Sequence, residues 1–190
     1  MKRLLRALRA ALRPAAPRQA PPVASLADPS VPPVEEGAAC LDVRAGERLS
    51  IGIVTGAILL SPAEAVAHVS ALPRPLRVVA DSDEAAVALA AALCAAGHPE
   101  VGPSLGGLQP WRAAGRAIHE PAWKSPLPPG HPVQVGPERG RVQDVRWEAD
   151  EFRFDVRLFR GGSLTLAVGL PEEALDSAGP RGAAGLGGLA

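Results

Sequence analysis

The chain has 190 residues, 47% of them hydrophobic, so it can bury the core of one domain of ordinary size and is not disordered as a whole. The formal net charge is zero, yet residues 1–18 carry six bases and no acid, while residues 19–190 hold 14 bases and 20 acids. Two cysteines cannot staple a small secreted domain, and no apolar run approaches the ~20 residues that a membrane-spanning helix needs.

Aromatic residues make up only 3%, with no tyrosine, so the core must be built from Ala, Leu and Val. The 21 prolines and 20 glycines are close to twice the usual share, an excess that belongs in linkers and tails. Residues 1–33 are the first such region. Met1, Leu4, Leu5, Leu8 and Leu12 fall on one helical face, with Lys2, Arg6, Arg9 and Arg13 on the other, and Pro14 stops the helix. No uncharged run before Pro14 exceeds three residues, which excludes the apolar stretch of a secretory signal. Three readings stay open: a surface anchor on anionic membrane, an organellar transit peptide, and a solvated tail. The expectation is a cytoplasmic chain. Through residues 1–13 it would make at most weak, transient contact with an anionic membrane surface, or be imported into an organelle. The seven prolines of residues 14–33 make an extended linker.

Residues 34–121 alternate short apolar runs with helical patterns, the mark of an α/β sheet. Ala39–Val43 reads as a buried strand, and the apolar segment Ile51–Leu60 ends in the strand-like Ala57–Leu60. Ser61-Pro62-Ala63-Glu64 is a capping box with proline at the first helical position, opening a helix to about Leu72. Leu76–Val79 is the next strand, followed by a helix from about Asp83 to Ala96 that Gly97 stops. Glu100-Val101 is a short strand, and Gly106-Gly107 turns into a last helical turn around Trp111.

Three motifs in this order carry a resemblance. Leu41-Asp42-Val43-Arg44 places an acid and an arginine at the end of the first strand. Gly52-Ile53-Val54-Thr55-Gly56-Ala57 keeps two glycines and an alanine ahead of the second strand, without the histidine and proline usual there. Leu105-Gly106-Gly107 and Trp111-Arg112-Ala113-Ala114-Gly115 close the set. The segment resembles a single rhodanese homology domain. The resemblance implies a three-layer α/β/α domain with a mostly parallel central sheet of about five strands.

The chemistry of that family lives in a loop of roughly six residues after the central strand. A thiolate stands at its first position, and inward N–H groups and a helix N-terminus stabilise the anionic persulfide. Here the loop aligns with Ala80, Asp81, Ser82, Asp83, Glu84 and Ala85. The nucleophile position is Ala80, and an alanine cannot carry sulfur. Asp81, Asp83 and Glu84 put three carboxylates where an anion would dock. The acids instead suit a helix N-terminus, with Ser82 or Asp83 as its cap. Cys40 lies within the first strand, where a buried structural thiol is the default. Cys94 lies eleven residues into the helix, about 16 Å along its axis. The four histidines, His68, His98, His119 and His131, form no metal-binding pair and read as surface residues. No cofactor or metal is expected.

The helix after the loop carries no charge between Glu84 and Glu100. Leu89, Leu93 and Ala96 make one apolar stripe, and Val87, Ala91 and Cys94 a second. Either the second face is merely alanine-rich and exposed, or it is covered by the C-terminal segment or another subunit.

Residues 122–137 form a second Pro-rich linker. A small antiparallel β unit follows over 138–172, a meander or SH3-like barrel, with Val133 and Val135 able to add a strand. Phe152, Phe154, Val156 and Leu158 alternate with Arg153, Asp155 and Arg157, and Gly161-Gly162 turns the chain toward Leu164, Leu166 and Val168. A unit so small should pack on the preceding domain or on a second copy. Arg141, Arg146, Arg153, Arg157 and Arg160 read as its outer face, but Glu138, Asp144, Glu148, Asp150, Glu151 and Asp155 match them. Cross-strand ion pairs are therefore expected rather than nucleic acid. A flexible tail fills 173–190. The sequence is thus read as a catalytically inactive rhodanese-like protein, not an enzyme, acting as a binding or regulatory module for a protein partner or as a homodimer. The alternative is a sulfurtransferase using a displaced cysteine.

Overall fold

The computed structural model describes residues 34–121 and 125–177; the basic segment and linker read over 1–33, and the tail beyond 177, lie outside the described residues. The first half runs β1 (Ala39–Asp42), α1 (Gly46–Leu49), β2 (Ile53–Val54), β3 (Ile58–Leu59), α2 (Pro62–Ala67), β4 (Leu76–Val79), α3 (Asp83–Ala95), β5 (Val101–Pro103), α4 (Gln109–Ala113) and β6 (Ile118–His119). Four of these strands form an all-parallel sheet in the order β3-β1-β4-β5, so the central sheet has four strands rather than about five. β2 and β6 pair antiparallel beside it.

Strand alternation builds a core on each face of this sheet. Leu41, Ile58 and Val78 point to the side covered by Ala65 of α2 and by Ala86, Leu89 and Leu93 of α3. Their chain neighbours Cys40, Leu59 and Val79 point to the other side and meet Leu49 of α1, Ile53 and Trp111 of α4. Because both faces are covered, the strands read as continuous apolar runs rather than alternating ones. The architecture is the expected α/β/α sandwich.

Local chemistry sets the helix ends. Ser61 and Glu64 form a reciprocal capping box at the start of α2. That helix ends at Ala67, short of the expected Leu72, and the chain tightens into a 3-10 turn at Val69–Ala71. Pro73 and Pro75 hold the residues before them away from helical geometry. α3 closes with Gly97 at φ +105°, its N–H donating to Cys94 and that of His98 to Leu93, so the last carbonyls are satisfied. On α3, Leu89 and Leu93 are buried. Val87, Ala88, Ala91, Cys94 and Ala96 are exposed, and no described residue covers that face.

The second half is one five-stranded antiparallel sheet, ordered β10-β9-β8-β7-β11. Its strands are β7 (Pro132–Val135), β8 (Glu138–Glu148), β9 (Glu151–Arg160), β10 (Ser163–Pro171) and β11 (Asp176–Ser177). The sheet therefore takes in part of the stretch read as linker and the first residues read as tail. Val133, Val142, Val145, Phe154, Val156 and Leu158 line its inner face and, with Leu175, form a core of their own. Gly140 sits where β8 crosses β9 so closely that a Cβ would lie 2.7 Å from the Arg157 carbonyl oxygen. Gly161 and Gly162, both at positive φ, turn β9 into β10.

The sheet packs on the α/β half through its opposite face. Arg141 donates from Nε and Nη2 to the two carboxylate oxygens of Glu64, at 2.9 and 3.0 Å. The register of β8 slips between Val142 and Asp144, and the bulged Gln143 reaches the outer side of β3. Its amide accepts from Leu59 N at 2.8 Å and donates to Leu59 O at 2.9 Å. The His68 ring stacks on Phe159 with centroids 4.8 Å apart, and His119 meets Asp144 at 3.2 Å. His98 is fully buried, bonded to the Pro73 carbonyl, and the other three histidines are half-buried, so none is the free surface residue expected. The small unit packs on its own chain's α/β half. Two of its arginines also depart from the expected outer face: Arg141 docks on Glu64, and Arg157 is buried enough to lower its pKa. Arg146 and Arg160 do make the expected cross-strand ion pairs, with Asp155 and Glu138, whereas Arg153 pairs with Glu151 of its own strand.

Two measurements check this packing. Burial alone would raise the Glu64 pKa, but hydrogen bonds from Arg141 and from Ser61 outweigh it and leave the carboxyl below its ordinary 4.5. A depressed folded pKa means stability that is present above 4.5 and lost as pH falls through the folded value. Glu64→Gln should cost about 2 kcal/mol near neutral pH and flatten the acid limb of the stability profile in denaturant titrations. The β8–β9 turn places Ala149 and Asp150 at φ +50° and +66°, where Asn-Gly is favoured. The double substitution A149N/D150G should therefore stabilise the fold by about 1 kcal/mol, raising Tm by roughly 2–4 °C.

Candidate functional site

Loops that follow parallel strands gather at one end of the sheet, where ligands bind α/β folds. Here that end holds Val43–Ala45 after β1, Leu60-Ser61 after β3, Ala80–Ser82 after β4 and Ser104–Gly107 after β5. Asp42 and Arg44, both buried, pair there: Arg44 donates to Asp42 from Nε at 2.9 Å and from Nη2 at 2.6 Å. The same guanidinium reaches the carbonyl oxygens of Arg48 at 3.1 Å and Gly52 at 2.7 Å. All three nitrogens of Arg44 thus take part in tying β1 to the turn before β2.

The loop after β4 is three residues long. Ala80 is half-buried and leans on the α3-side core, Asp81 is exposed, and Ser82 caps α3 by accepting from Ala85 N at 3.2 Å. Asp83, Glu84 and Ala85 already belong to the first turn of α3. The carboxylates pin the neighbouring loops. Asp83 Oδ1 accepts from Gly106 N at 2.8 Å, and the Asp81 oxygens accept from Ala45 N at 3.3 and 3.4 Å. Glu84 has a lowered pKa, held by its own backbone N–H and the Ser82 side chain. The N–H groups of Ala45, Ala85 and Gly106 are therefore given to side chains of this loop itself. A cradle for an anion needs those donors free.

A cleft of about 360 Å³ opens beside the loop, lined among others by Asp42, Arg44, Ser61, Asp81, Gly130 and Arg141. It contains no thiol. Cys40 lies on the opposite face of β1 from Leu41, buried, and its thiol pKa is pushed well up by burial and then by the Asp42 charge. Cys94 is exposed near the far end of α3, away from the helix N-terminus. No group of three or more His, Cys, Asp or Glu able to hold a metal occurs among the described residues. No described helix is long and apolar enough to cross a membrane.

The sequence reading did not single out Gln143, and it named Glu64 and Arg141 without pairing them. The spacing of Val142 and Val145, three rather than two, is the available sign of the bulge that aims Gln143 at β3.

No protein-family model matches the chain, and no curated protein matches it. Solved structures do. The crystal structure of the Rhodanese_3 like domain of the Alr3790 protein from Anabaena sp. is 28% identical; the match covers 43% of this chain and 98% of that one, with a TM-score of 0.38. A solution NMR structure of the rhodanese-like domain of the same Anabaena protein is also 28% identical, over 48% of this chain and 70% of that one, with a TM-score of 0.38.

The two thiols should separate cleanly under a disulfide reagent. Cys94 should react in the folded protein at the rate of an exposed thiol. Cys40 should react only through unfolding, roughly a hundredfold slower or more at neutral pH, and at the Cys94 rate in denaturant. Ellman titration of wild type and C94S measures both.

Proposed function

We propose that this chain is a catalytically inactive rhodanese-like protein that serves as a binding or regulatory module. The observation that carries the reading is the end of β4, where the position of the sulfur-bearing residue is Ala80. Around it, three backbone N–H groups are bonded to Asp81, Ser82 and Asp83 rather than left open. Sulfur transfer needs a thiolate whose charge is stabilised, and burial beside a carboxylate does the reverse for Cys40. Cys94 is eleven residues into α3, where the helix dipole no longer favours an anion. What supports a binding role is the intact framework: both cores are closed, and the loops at the sheet end are locked to one another.

Cyanide-dependent formation of thiocyanate from thiosulfate tests the reading. The expected rate with the full chain equals that of the protein-free control. Turnover lost in C94S or C40S would identify a displaced nucleophile and establish a sulfurtransferase. Turnover that survives the double replacement would show that the loop acts without a cysteine.

A further inference from the structure

We draw no further inference here: the strongest candidate, the open groove of about 690 Å³ between the end of α2 and strands β8 and β9, carries nothing, because its carboxylates Glu64 and Glu138 are held by Arg141 and Arg160, the unbonded Nδ1 of His68 is buried out of its reach, and the exposed Arg139 by itself points to no ligand.

Discussion

Leu59 is the last residue of the outermost strand of the parallel sheet, and it is buried, so its peptide N–H and C=O can be answered neither by a further strand nor freely by water. Gln143 supplies one acceptor and one donor from a single amide, the two groups a neighbouring peptide would present. Leaving either backbone group unmet would cost on the order of 1–3 kcal/mol. That requirement sets the geometry of the second half. The amide can reach β3 only because β8 bulges between Val142 and Asp144, and the bulge keeps Val142 and Val145 on one face although they are three residues apart. Arg141, two residues before Gln143, then meets Glu64 of the α2 capping box. The carboxylate that orders the start of that helix is therefore also the one that holds the sheet.

Much of the first half was legible because its signals are local. The capping box at Ser61, the proline at 62, the glycine at 97 and the β-branched-rich strand Leu76–Val79 each have one common structural meaning, and each appears where it was read. The misses share a cause. The helix at Gly46–Leu49 is too short for a periodic pattern, and the sheet has four strands because β2 turns aside to pair with β6. The histidines were read as surface residues because a single sequence does not show that Phe159, folded back from the far half, will stack on His68. Arg141 looked like one more cation on a solvated strand for the same reason: its partner lies 77 residues earlier.

The loop after β4 was legible as composition and not as geometry. An alanine and three acids state what the segment lacks. That Asp81 and Asp83 spend their oxygens on Ala45 and Gly106, two loops away in either direction, follows only from how β1, β4 and β5 lie side by side. In an active site of the anion-cradling kind, those N–H groups stay unpaired until substrate arrives, and the fold is less stable for it. Here the N–H groups of Ala45, Ala85 and Gly106 are bonded to side chains of the loop itself. The helix dipole of α3 is met by Asp83, Glu84 and the Ser82 cap, the arrangement that stabilises a helix start.

Away from the sheet end lie the outer surfaces of the two halves. Two of them are uncharged: the outward face of α3 and the margin β10. They differ in what water can do for them. The α3 face consists of side chains, mostly single methyl groups, over a backbone whose hydrogen bonds are internal to the helix, so exposure there costs little. β10 presents peptide groups as well as Leu166 and Val168, and half of its peptides have no partner strand. A surface that carries both unmet backbone polarity and apolar side chains gains from a strand what neither water nor a helix can give together: hydrogen bonds along the row and burial on both sides of it. The backbone, more than the hydrophobicity of the surface, therefore distinguishes the β10 margin from the α3 face.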